Sequence, residues 1–248
     1  MRRAPVALFV ASLVLIAASC GGEGERTISR VFAGPTWTTG EKLAYQLRQR
    51  DEILGSCTMT ADPAEDPSHT RLASLCSSPD GRYRDDRTVD VDAQTLKPLR
   101  SERVIARLGE DKESVFTATY RDNDVLLAVD ADGKHNETTR ALPTPTEESP
   151  DPGYYDDVSL FWLVRGLPLA EGFEGAFRDV NAGNARVFTV VVRVTGTATV
   201  RVPAGEFETW EIEVETESIT QAFWVERAGS KRVIRARIER DLYELVTE

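Results

Sequence analysis

Residues 200–246, VRVPAGEFETWEIEVETESITQAFWVERAGSKRVIRARIERDLYELV, decide the fold. Trp210, Ile212 and Val214 alternate with Glu211, Glu213 and Glu215. This period of two gives a strand one apolar and one wet face, whereas a helix would scatter both kinds around its circumference. Pro203-Ala204-Gly205, Glu217-Ser218, Ala228-Gly229-Ser230 and Arg240-Asp241 break the alternation with residues suited to turns. The stretch reads as an antiparallel meander that forms one wall of a β-rich domain, and it carries no catalytic signature.

Working back from this wall, residues 186–194 (RVFTVVVRV) are dense in β-branched side chains and predict a central strand that enters the meander through Thr195-Gly196. The best helical candidate is residues 158–166, VSLFWLVRG, capped by Asp156 or Asp157 and stopped by Gly166 and Pro168. Val158, Phe161, Trp162 and Arg165 fall at helical spacing, so an aromatic face should lie on the sheet. Residues 142–153, LPTPTEESPDPG, predict a Pro-rich loop across the sheet. Further upstream, alternating runs at 41–50, 53–60, 72–76, 83–91, 115–120 and 125–130 predict short strands. Asp122-Asn123-Asp124 and Asp132-Gly133 mark hairpin turns between them. The expected fold is mainly β: an open, mostly antiparallel sheet or half-barrel with one short helix packed on it, a single domain over 41–248.

The chain opens with Met1-Arg2-Arg3 and an almost wholly apolar run over 4–18, too short to span a bilayer comfortably. This is the layout of an export signal over residues 1–19. Ile16-Ala17-Ala18-Ser19-Cys20 resembles the lipobox of bacterial lipoproteins, with Ala17 where most lipoboxes carry Leu. The resemblance implies lipidation of Cys20 and anchoring of the chain to a membrane in the cell envelope, outside the cytoplasm. Ordinary cleavage leaving Cys20 a plain thiol is the alternative. Residues 20–40 are rich in Gly, Thr and charge without a periodic apolar face, and they predict a flexible tether.

Lys and Arg number 30 against 41 Asp and Glu, a formal charge of −11 that argues against nucleic-acid binding. With Cys20 assigned to the lipid, Cys57 and Cys76 remain, and export makes a disulfide between them the expectation. Zinc lacks ligands, since the only histidines are His69 and His135 and the cysteines are far apart. Asp130, Asp132, Asn136 and Glu137 supply only part of a calcium loop and read as a solvated turn. No metal and no cofactor is expected.

Asp156, Ser159, Arg165, Leu167-Pro168-Leu169 and Gly172, followed by Val-Pro-Ala-Gly-Glu-Phe-Glu-Thr at 202–209 and by Phe223-Trp224-Val225, resemble the exported bacterial family called domain of unknown function 3108. The resemblance implies an exported, open β structure similar to the half-barrels of lipoprotein carriers. It implies no established activity and no catalytic residues.

Three functional readings follow. In the first, a non-enzymatic half-barrel binds a hydrophobic ligand in a pocket lined by Phe161, Trp162, Phe188, Trp210 and Trp224. The second is an envelope protein–protein interaction module using the Glu211, Glu213 and Glu215 ladder or the Arg227, Lys231, Arg232, Arg235 and Arg237 cluster. The third is a hydrolase using unidentified carboxylates, and the sequence lacks G-x-S-x-G, H-E-x-x-H and a phosphate-binding Gly-rich loop.

Overall fold

The computed structural model describes residues 27–107, 109, 112–216 and 218–247; Cys20 and the stretch expected to be an export signal lie outside them. Eight strands come first: β1 (Glu41–Gln49), β2 (Glu52–Pro63), β3 (His69–Ser77), β4 (Tyr83–Asp92), β5 (Pro98–Arg107), β6 (Lys112–Tyr120), β7 (Asp124–Ala131) and β8 (Lys134–Ala141). After the Pro-rich loop come β9 (Tyr154–Asp156) and the helix α1 (Leu160–Leu163), which is flanked by 3-10 turns at Asp157–Ser159 and Val164–Gly166. Then follow β10 (Glu174–Asn181), β11 (Arg186–Val202), β12 (Gly205–Glu215), β13 (Thr220–Glu226), β14 (Val233–Ile238) and β15 (Asp241–Thr247).

Among the described residues these strands form one open sheet in the order β8-β7-β6-β5-β4-β3-β2-β1-β15-β14-β13-β12-β11-β10-β9. Consecutive strands thus pair, except β8 and β9, which form the two edges, and β1 meets β15 to join the first half of the chain to the last. Short turns dictate antiparallel pairing between consecutive strands, and the β1–β15 join is antiparallel as well, which leaves one exception. The crossover through α1 makes β9 and β10 parallel, a pairing that the antiparallel reading did not anticipate. The strand expected over 186–194 continues to Val202, because Thr195-Gly196 forms a β-bulge and not a break.

The sheet curls until its two ends overlap. At this seam the overlapping strands do not pair. Side chains of β5, β6 and β7 meet β9, β10 and the turn after β10 instead: Ala118, Val125 and Leu127 pack with Val180 and Ala182. Ser101 and Tyr120 both donate to the Asp156 carboxylate, and Lys97 Nζ reaches Asp151 at 2.7 Å. The outer edge strand β8 is polar along its length, which suits an edge that must not recruit another chain.

The curl encloses α1. Phe161 makes edge-on ring contacts with Tyr45, Phe223 and Tyr243 at centroid distances of 5.7, 5.6 and 5.4 Å, so one helical side chain touches three strands of the inner wall. Cys57 and Cys76 face each other on β2 and β3 and form a disulfide, with Cα atoms 4.0 Å apart.

The segment 27–40, expected to be part of a tether, is docked. Ser29 N–H donates to Ala176, Arg30 N–H to Asp151 and Ala33 N–H to Gly166, while Val31 and Phe32 are buried in the core. A Cβ on Gly153 would sit 2.0 Å from the Ser29 carbonyl oxygen, and one on Gly166 would sit 2.0 Å from the Phe32 ring. The glycines therefore create the groove that the strap occupies. The strap lacks a periodic apolar face because it is no strand of the sheet. Its apolar side chains are buried irregularly, wherever a gap admits them.

Candidate ligand-binding cavity

One end of the curl is plugged. Arg165 leaves the end of the helical segment and is 1% exposed. Its Nη1 and Nη2 donate to the Glu41 carboxylate, its Nε to the Lys231 carbonyl at 3.0 Å and its Nη2 to the Ser230 carbonyl at 3.0 Å. The guanidinium also lies 5.1 Å from the Trp162 ring and 5.8 Å from the Trp37 ring. A buried cation persists only when its charge and its donors are both answered, and here they are.

On the other side of α1 lies a cavity of about 390 Å³, within the range of small-molecule sites. Its wall comes from α1, from the inner faces of β10, β11 and β12, and from the turns after β12 and β14. Phe161, Phe188, Val190, Val214 and Ile238 make one part of the lining apolar, whereas Arg87, Arg103, Asp157, Asp179 and Asn181 make another part polar.

The polar part is built on Asp85. Arg87 and Arg103 each donate through Nε and Nη2 to its two oxygens at 2.7–3.1 Å. Burial pushes the Asp85 carboxyl up, but these charge-assisted hydrogen bonds outweigh it and hold the group at about 2. Asp156 caps the helical segment, accepting from Val158 N–H at 2.9 Å, and Ser159 Oγ returns a hydrogen bond to the Asp156 carbonyl. Burial, then the charge of Asp157, pushes Asp156 up to about 7 against the pull of its donors. Burial likewise raises Asp157, with Arg87 and Arg103 opposing. Asp179 is raised well above the carboxylate range by burial, then by Asp157 and Asp156.

Of the aromatics expected to line a pocket, Phe161 and Phe188 do. The other three lie elsewhere. Trp162 follows Phe161 on the helix and so points about 100° away, where it packs against Trp37 in the plugged end. Trp224 falls between the inward-facing Phe223 and Val225 of β13, and period two turns it to the outer surface. There its Nε1 donates to Glu211 at 2.9 Å. Trp210 lies four residues from the cavity-lining Val214, roughly 13 Å along the strand, beneath the Arg227 guanidinium.

Sequence reasoning missed the charged residues of the cavity. A signal existed: Phe177, Asp179 and Asn181 share one strand face, so a buried Phe implied an inward-facing Asp. Among the described residues no group of three or more His, Cys, Asp or Glu is placed to hold a metal ion.

The fold has a solved counterpart. A β-barrel-like protein of domain of unknown function DUF1849 from Brucella abortus superposes with a TM-score of 0.50 at 12% identity, covering 84% of this chain and 96% of that one. A candidate exported protein with a YmcC-like fold from Bacteroides fragilis scores 0.29 at 14% identity, covering 87% of this chain and 98% of that one. A candidate lipoprotein from Parabacteroides distasonis scores 0.30 at 10% identity, covering 90% and 99%. No curated protein sequence matches the chain. The model of the family described as "Protein of unknown function (DUF3108)" matches residues 74–244, a span that takes in the capped helical segment, the cavity lining apart from Met59 and nearly all of the meander, and the chain belongs to that family.

Proposed function

We propose that the protein works in the cell envelope, outside the cytoplasm, tethered to a membrane by a lipid on Cys20, and that it binds a hydrophobic small molecule without transforming it. The observation that carries this reading is the cavity of about 390 Å³, walled by Phe161, Phe188, Val190 and Val214 beneath a curled sheet. Extracytoplasmic placement is supported by the export-type N-terminus and by the Cys57–Cys76 disulfide.

An interaction module has less support. The outer-face acids expected to serve it are answered within the sheet: Arg193 binds Glu174, Glu213 and Glu215, and Trp224 binds Glu211. Of the basic cluster, Arg232 pairs with Glu226 and Arg235 with Glu244.

Native mass spectrometry of the processed protein, released gently from its membrane, tests the binding reading. The expected spectrum shows a noncovalent small-molecule adduct that collisional activation removes. A bare polypeptide that also fails to take up added hydrophobic probes would overturn it.

A further inference from the structure

Asp179 is the one acid of the buried polar cluster whose surroundings leave its charge unanswered. It is 6% exposed, it lines the cavity, and among the described residues no group hydrogen-bonds its carboxylate. Strand β10 aims it, because Phe177, Asp179 and Asn181 alternate onto the cavity face while Val180 packs into the seam. Its acidic neighbours are spoken for. Asp85 takes both arginine forks, Asp156 takes Ser101, Tyr120 and the Val158 N–H, and Asp157 takes Asn181 Nδ2 at 3.3 Å.

The same arrangement disfavours an anionic guest. Arg87 and Arg103 each spend Nε and one Nη on Asp85, whose carboxylate offsets part of their charge and leaves only their remaining Nη donors. The charged side chains that line the cavity are Asp157, Asp179, Glu239 and Asp241 against Arg87, Arg103 and Arg186, and Asp85 behind the first two arginines brings the acids to two in excess. A buried, unpaired carboxylate is costly, and a ligand cation is what offsets that cost. Phe188, Val190 and Val214 supply the apolar wall on the adjoining strands.

Resting on the reading of this cavity as a ligand site, we infer that its occupant is a cationic amphiphile, an alkylammonium-type molecule whose charged head pairs with Asp179 while its hydrocarbon lies along Phe188, Val190 and Val214. The raised affinity of Asp179 for a proton when no cation faces it fits this role. Binding of the ammonium then expels that proton to solvent.

The test displaces the neutral fluorophore phenylnaphthylamine from the full processed protein with dodecylamine, dodecanol and dodecanoate at neutral pH. These three share one chain and differ in head charge. Dodecylamine is expected to bind about tenfold more tightly than the other two. Asp179→Asn should erase that preference while leaving dodecanol unchanged. Calorimetry in buffers of different ionisation enthalpy should show proton release on amine binding to the parent protein and none to D179N. Circular dichroism and melting should show D179N folded, since it removes an unpaired buried acid and keeps the shape. Equal affinity for the three heads, or a preference for dodecanoate, overturns the inference and leaves the cavity reading standing. An amine preference that survives in D179N overturns the assignment of Asp179. Failure of phenylnaphthylamine and all three amphiphiles to bind removes the cavity reading and this inference with it.

Discussion

Tyr120 Oη donates to Asp156 Oδ2 at 2.6 Å, although β6 and β9 belong to opposite ends of the sheet order. The bond spans the seam that backbone pairing leaves open. Tyr120→Phe keeps the ring and removes the donor, and should lower stability by about 1–2 kcal/mol. Hydrogen exchange should quicken at β9 amides before it does in β12. Unchanged unfolding and exchange would show that packing alone closes the seam.

The Glu41–Arg165 pair closes the other end of the molecule, and its carbonyl partners at Ser230 and Lys231 need the planar guanidinium fork. Arg165→Ala leaves a buried carboxylate and two carbonyls without donors, a loss expected at roughly 3–5 kcal/mol in urea unfolding. Arg165→Lys should recover little of it, because an ammonium cannot reproduce the fork. Full rescue by lysine would contradict this account of the plug.

Stability should depend on pH with two limbs. The carboxyls of Asp156, Asp157 and Asp179 are raised in the folded protein, Asp156 to about 7 from an ordinary value of 3.8. Their contribution is full below the unfolded value and is lost as pH rises through the folded ones. Asp85, held at about 2, works the opposite way: its contribution is present above 3.8 and fades as pH falls toward 2. The groups that set these values are Arg87, Arg103, Ser101 and Tyr120, together with the acids themselves. Melting temperature should therefore peak near about pH 4 and fall as pH rises from there through about 7. Asp179→Asn should flatten the alkaline limb and leave the acid limb intact. A melting temperature that rises steadily to pH 8 would contradict the burial of these acids.

Cys57 and Cys76 sit on adjacent strands with both side chains buried. Replacing both with Ala, or reducing them, should cost about 2–4 kcal/mol, by constraint lost from the unfolded chain. Chemical denaturation with and without reductant measures this directly. Equal midpoints would show that the bridge carries no stability.

Much of the fold was legible in the sequence because period-two alternation and turn residues are local signals. The meander from Gly205 onward and the hairpin at Asp132-Gly133 follow from them directly. The parallel pairing of β9 was not legible, since three residues carry no period and the pairing depends on a crossover that only the tertiary fold defines. Nor was the docking of Val31 and Phe32, whose partners Tyr155 and Gly166 lie more than a hundred residues away. For the cavity, large aromatic size singles out Phe161, Trp162, Phe188, Trp210 and Trp224 together; Phe161 and Phe188 lie on its wall, whereas Trp162 packs in the plugged end, Trp224 lies on the outer face and Trp210 stacks under Arg227 away from it. Charge inside the curl escaped notice because an isolated Asp in an acidic chain looks like surface until its strand neighbours are assigned to a face.

Titration of phenylnaphthylamine into the parent protein and into Ile219→Trp most directly tests whether the curled sheet holds a ligand. Ile219 lies half-buried in the turn after β12, where added bulk enters the cavity with little strain on the sheet. The account predicts saturable uptake of one probe per chain by the parent protein and its loss in I219W at unchanged melting temperature. Uptake that never saturates, or that is identical in the two proteins, would contradict it.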